Sequence, residues 1–107
     1  MAVNFLPIFH PRIETDVREA MARYDGRGPG LGERFKRTFC RTVDDLLIFP
    51  EKHAVKMDAE IRTRLMRPFP YLIFYAVSHD TVFILTVQYA GRRPALLHAI
   101  ARGRTET

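Results

Sequence analysis

The 107-residue chain predicts an α+β domain: an N-terminal strand, an antiparallel helical hairpin, then a three-stranded antiparallel meander. Three observations lead there. Apolar residues recur at helical spacing in the first half. They alternate as in strands in the second. The breaks between segments fall on clusters of glycine and proline. The length suits one domain, and a chain of this size buries roughly 65% of its unfolded surface, enough for a core without disulfide or metal staples. We place a single domain at residues 1–101 and read 102–107 as a C-terminal tail.

Residues 2–6 alternate, with Val3 and Phe5 on one side, and read as a short strand limited by Pro7. Pro11 sits where helices begin. From it Ile13, Val17, Ala20, Met21 and Tyr24 recur at helical spacing, and Glu14 and Asp16 fall in the first turn, where the helix dipole favours acids. This predicts a helix over 11–24. Asp25-Gly26-Arg27-Gly28-Pro29-Gly30 is a breaker cluster. It lacks the phosphate-loop pattern and follows no strand, so it reads as a connection between helices. The second helix spans 31–49 with an apolar stripe of Phe35, Phe39, Val43, Leu46 and Leu47, and Pro50 ends it. So short a link makes the two helices an antiparallel hairpin.

Residues 51–59 read as polar and irregular. Residues 61–67 form a polar strand, with Arg62 and Arg64 on one face and Thr63 and Leu65 on the other. Residues 71–77 are apolar on both faces, as in the middle of a sheet. His79-Asp80 makes a two-residue hairpin loop, and 81–89 returns. Gly91-Arg92-Arg93-Pro94 ends that strand, 95–101 forms a short helix, and 102–107 frays. Tyr71, Ile73, Tyr75 and Val77, or their neighbours Leu72, Phe74 and Ala76, should face Val17, Met21, Phe35, Phe39, Val43 and Leu46. Two helices cover one sheet face, yet the central strands are apolar on both. The second face therefore asks for a partner, a second copy or another chain.

Composition excludes several classes. With 47% apolar residues the chain is not a disordered tail. No apolar run reaches the ~18–20 residues of a membrane helix. Met1-Ala2-Val3-Asn4 carries no basic region and no long apolar stretch, which argues against a secretory signal. One cysteine, Cys40, excludes an internal disulfide and a multi-cysteine zinc site, and beside Phe39 it reads as filler. His10, His53, His79 and His98 lack ligand spacing, so no metal or cofactor is implied. Asp44 and Asp45 point about 100° apart on a helix and read as a solvated face. These features fit a cytoplasmic protein in a reducing compartment.

The net charge of +5 is unevenly placed. Residues 1–60 carry ten basic and ten acidic side chains; residues 61–107 carry seven arginines against Asp80 and Glu106. Arginine's planar fork suits phosphate and carboxylate, so the C-terminal half is a candidate surface for a polyanion or an acidic protein. The plainer reading is a solvated face in a protein with fourteen arginines and three lysines.

His10-Pro11, then Asp16-Val17 and Tyr24, resemble the first helix of the RelE/ParE toxin superfamily of type II toxin–antitoxin systems. Arg34-Phe35, Leu46 and Pro50 resemble its second helix and the proline after it. Arg62 precedes the central strand, Pro70-Tyr71-Leu72-Ile73-Phe74-Tyr75 resembles the core strand, and Ile84-Leu85 through Arg92-Arg93-Pro94 resembles the closing strand. The likeness spans roughly residues 2–94 and is to the ParE branch. It implies a small toxin, associated with plasmid stabilisation and neutralised by an antitoxin protein. ParE-branch members poison DNA gyrase; RelE-branch members cleave messenger RNA on the ribosome. Fold alone does not choose.

Under the first reading the chain is a non-enzymatic gyrase inhibitor, and Arg62, Arg64, Arg67, Tyr89, Arg92 and Arg93 are the candidate target- or partner-binding residues. Under the second it is a metal-independent endoribonuclease, an mRNA interferase. Such cleavage needs a base, an acid and cations around the phosphorane. Arg62, Arg64 and Arg92 would be the cations, with His98 the late proton-transfer group. Leu72 stands where the RelE branch usually carries arginine, and no tyrosine follows Tyr89; both departures weigh against the nuclease. A third reading is a family member that keeps its antitoxin and has lost toxicity. Candidate partners are thus the antitoxin, gyrase, the ribosome with its messenger RNA, and a second copy of the chain. Arg62, Arg64, Arg92 and Arg93 should converge on one side of the sheet.

Overall fold

A computed structural model describes residues 4–52 and 55–106 and, at Val55, the backbone alone. The order is β1 (Leu6–Phe9), α1 (Ile13–Asp25), α2 (Leu31–Ile48), β2 (Val55–Lys56), β3 (Ile61–Leu65), β4 (Tyr71–Ser78), β5 (Thr81–Tyr89) and α3 (Pro94–Thr105). The strands form one sheet in the order β1-β5-β4-β3-β2. The architecture is α+β, as the sequence predicts, and β3, β4 and β5 are the expected antiparallel meander.

The first strand differs. It runs over Leu6–Phe9, includes Pro7, and lies parallel to β5; residues 2 and 3 of the expected strand lie outside the described residues. Pro7 is tolerated because β1 is an edge. Leu6 N–H donates to the Asp80 carbonyl at 2.8 Å and His10 N–H to the Ile84 carbonyl at 2.9 Å. Alternate residues point the other way, so the missing donor of Pro7 faces outward, where no strand needs it. The connection from β1 to its neighbour crosses the whole helical hairpin, which makes a parallel partner natural.

The α1–α2 connection is pinned across its glycines. Gly30 takes a left-handed φ of 81° ahead of α2. Asp25, the last residue of α1, accepts the Gly32 backbone N–H at 2.8 Å. It thereby caps a helix that no neighbouring side chain caps. A Cβ at Gly32 would stand 2.6 Å from that carboxylate, so a larger residue there would push the Asp25 side chain out of this capping position.

The hairpin packs on the face formed by Tyr71, Ile73 and Tyr75, with Val77 at the margin. Phe35, Phe39, Val43 and Leu46 meet them, and Val17 and Met21 pack beside the cluster. Tyr24, Phe35, Phe69 and Tyr71 form a chain of ring contacts at 4.9–6.0 Å between centroids. Leu72, Phe74 and Ala76 point to the opposite face, as strand alternation demands.

Two further expectations are corrected. Residues 51–59 are not wholly irregular: Val55 and Lys56 pair with Thr63 and Arg62. Asp58 makes that hairpin, because its Oδ1 accepts the backbone N–H groups of Glu60 and Ile61, both at 2.9 Å. Residues 102–105 are not a frayed tail but the last turn of α3. Pro94 starts this helix at a position suited to proline. Leu97 and Ala101 pack on Ile61, Phe74 and Leu85, so α3 covers much of the face expected to be bare. Among the described residues no helix is long and apolar enough to cross a membrane.

Candidate functional site

The sequence-derived arginines are held in different surroundings. Arg62 and Arg64 share the face of β3 that looks to the helical hairpin, paired in register with Tyr75 and Ile73. Both hold the segment after α2. Arg62 Nη2 lies 3.8 Å from Glu51, and Arg64 Nη2 donates to the Lys52 carbonyl at 3.1 Å. Tyr75 completes this anchor by donating its hydroxyl to the Pro50 carbonyl at 2.6 Å. Burial pushes the Tyr75 phenol above its ordinary pKa, so it stays a donor. Arg67 is exposed in the turn between β3 and β4.

Arg92 lies beyond β5, at a small hollow it shares with Glu19 and Arg23 of α1 and with Tyr71 and Tyr89. Arg23 donates to the Tyr71 hydroxyl at 3.3 Å, and the Tyr71 and Tyr89 rings meet edge to face at 5.9 Å. Tyr89 is 42% exposed and folds back over Gly91, where a Cβ would collide with its ring. Arg93 is exposed at the start of α3. Sequence reasoning missed Arg23. Its position two turns after Asp16 carried no sign that α1 would cross the end of β5.

His98 lies on α3, in the layer opposite the hairpin. Its Nε2 is 3.4 Å from Asp58 Oδ2, and Arg102 of the next helical turn reaches Asp58 at 3.8 Å and Glu60 at 3.5 Å. The Glu60 and Ile61 N–H groups, then Arg102 and His98, hold the Asp58 carboxyl below its ordinary pKa. His98 is thus separated from Arg62 and Arg64 by the sheet. His79 sits exposed at the hairpin tip with a left-handed φ of 55°, and His53 lies outside the described residues. Among the described residues no group of His, Cys, Asp and Glu could hold a metal.

A second polar centre was not legible in the sequence. Arg104 Nη1 and Nη2 meet Asp16 Oδ2 and Oδ1 at 2.9 and 3.0 Å, and Nη1 also reaches the Leu85 carbonyl at 3.0 Å. Thr86 donates to Asp16 at 2.6 Å, and Gln88 donates to Thr86 at 2.8 Å. Beside it opens a hollow of about 670 Å³, lined by Ile8, His10, Phe83, Leu85, Glu60 and Arg104 among others. Ile8, Phe9 and Phe83 are exposed there, and Ile48 and Phe49 are exposed at the end of α2.

No family model and no curated protein matches the sequence. A chain of the chromosomal ParDE TA system from P. aeruginosa superposes with a TM-score of 0.71 at 14% identity, covering 82% of this chain and 98% of its own. At that identity the likeness shows the fold. This protein has the RelE/ParE-like fold that its strand and helix patterns imply.

Proposed function

We propose that this protein is the toxin of a type II toxin–antitoxin system, of the ParE-like kind: it binds and inhibits a large target, DNA gyrase, and a cognate antitoxin silences it. The observation that carries the reading is the fold match, which takes in nearly the whole of a ParDE chain. The residue patterns of the first helix, core strand and closing strand support it independently. Exposed Ile8, Phe9, Phe49 and Phe83 offer the apolar surface a protein partner would cover. Tyr89, Arg92 and Arg93, joined by Arg23, offer a basic, aromatic end for target or antitoxin.

The separation of His98 from Arg62 and Arg64 supports binding over RNA cleavage. Those arginines are engaged with Glu51 and Lys52, and His98 with Asp58. The test is inducible expression in bacteria with separate readouts of replication and translation. Replication arrest with a DNA-damage response is expected. Rapid translation arrest with cleaved transcripts would install the interferase reading instead, and growth without arrest would leave a member that has lost toxicity.

A further inference from the structure

The fold redistributes the charge of the sequence. Three arginines of the basic C-terminal half are taken up by acids of the N-terminal half: Arg62 by Glu51, Arg102 by Asp58 and Glu60, and Arg104 by Asp16. Those acids are thereby withdrawn from the helical hairpin. Residues 23–41, from the end of α1 into α2, hold six basic side chains against Asp25 and Glu33. The Asp25 carboxylate is itself occupied by the Gly32 N–H. Among the described residues none of these six cations forms an ion pair.

α2 arranges them. It buries Phe35, Thr38, Phe39, Val43 and Leu46, so Arg34, Arg37 and Arg41 form a stripe on its outward side, and all three are exposed. The stripe runs about 10 Å along the helix. Arg27 joins its N-terminal end: the guanidinium lies over the Tyr24 ring, 5.5 Å from the centroid, and Tyr24 stacks on Phe35. Glu33 and Asp44 border the stripe, and Asp45 closes it one turn beyond Arg41. We propose that this outward face of the helical hairpin is a seat for the phosphate backbone of duplex DNA. The seat does not depend on the toxin reading, which rests on the fold match.

The chemistry of the face selects that partner. From residue 23 to residue 41 no large apolar side chain among the described residues is exposed, and a protein interface needs such anchors at its centre. Exposed Ile48 and Phe49 lie at the other end of α2, about 20 Å from Arg34. Tyr24, Phe35 and Phe39 are buried, so the face presents no ring on which an unstacked base of a single strand would stack. Thr38 and Thr42 donate their hydroxyls to carbonyls of their own helix at 2.9 and 2.8 Å, turned away from any ribose 2′-hydroxyl. What remains is guanidinium, a fixed charge that only donates and matches phosphate oxygens. B-DNA carries a phosphate about every 3.4 Å along each strand, so the stripe faces about three of them on one strand.

Fluorescence anisotropy of a labelled duplex of about 20 base pairs, titrated with the full chain at about 50 and about 200 mM salt, tests this. With three to four phosphates neutralised, affinity should fall about a hundredfold between the two conditions. Arg34→Ala with Arg37→Ala and Arg41→Ala should cut affinity at the lower salt at least about tenfold and shrink the salt effect to about fivefold. Alanine favours the helix, so circular dichroism should show the fold kept. A second triple variant, Arg67→Ala with Arg92→Ala and Arg93→Ala, removes the same charge from the sheet side and should lose less than about threefold. No binding of the duplex at the lower salt would overturn the seat. So would equal losses in the two variants, which would mean that net charge alone attracts the DNA. Tighter binding of RNA of the same sequence, single-stranded or duplex, would overturn it in favour of RNA. Displacement of the duplex by polyglutamate of equal charge would overturn it in favour of an acidic protein.

Discussion

Arg104 grips Asp16 with two parallel hydrogen bonds across 88 positions of sequence, and both side chains are 9% exposed. The contact joins the last turn of α3 to the first turn of α1. Removing one partner strands a buried charge, so Arg104→Ala or Asp16→Ala should each lower stability by about 3–5 kcal/mol. Replacing both with apolar residues, Asp16→Leu with Arg104→Met, should lose clearly less than the two single losses added. Urea unfolding at constant slope reads the difference, and strictly additive losses would show that the pair is uncoupled.

Phe39 and Phe74 fill opposite faces of the sheet, one under the helical hairpin and one under α3. Each truncation to alanine should lower stability by about 3–5 kcal/mol. Phe49, 62% exposed, is the internal control and should change little. A loss under about 1 kcal/mol at Phe74 would mean that α3 does not seal the second face.

Tyr75→Phe removes only a hydroxyl, but it leaves the buried Pro50 carbonyl without its donor. We expect a loss of about 1–3 kcal/mol. Arg64→Met should add a smaller loss through the freed Lys52 carbonyl. If both are silent in chemical denaturation, the segment after α2 is not held by this anchor.

Arg92→Ala with Arg93→Ala should leave stability almost unchanged, since surface charges contribute little. If the proposed toxin function holds, affinity for a cognate antitoxin should fall, and its salt dependence should flatten. Arg23→Ala should weaken the same binding, because α1 delivers it to the hollow of Arg92. Unaltered affinity and unaltered toxicity in the double variant would remove the functional reading of the basic C-terminal half.

The isolated chain should bind an apolar dye and self-associate at high concentration, through Ile8, Phe9, Phe83 and the end of α2. Ile8→Lys with Phe83→Lys should reduce both effects in dye titration and sedimentation. A concentrated monomer of the parent protein that binds no dye would contradict the surface assignment.

The helices and the meander were legible because their apolar spacing is strong and their ends carry proline or glycine. Pro7 misled because a proline excludes a central strand but not the outer side of an edge strand. Residues 102–105 were misread because Arg102, Gly103, Arg104 and Thr105 carry no apolar signal. What orders the turn is one guanidinium finding Asp16, a long-range pairing that local pattern does not encode. The same limit applies to the candidate site. Period 2 put Arg62 and Arg64 on one face correctly, yet their partners Glu51 and Lys52 lie on a connection whose path the sequence left open. Arg92 and Arg93 follow β5 as expected, but Arg92 is drawn to α1 and Arg93 leads into α3.

Pro7 has a consequence beyond its own strand. The outer rim of β1 offers few donors, and β2 at the far margin is two residues long. Over the described residues neither margin can template a further strand for any useful length. Crowded copies of this molecule have faces to share but no margin along which to grow. Their assemblies should close at small, countable sizes rather than propagate as fibres.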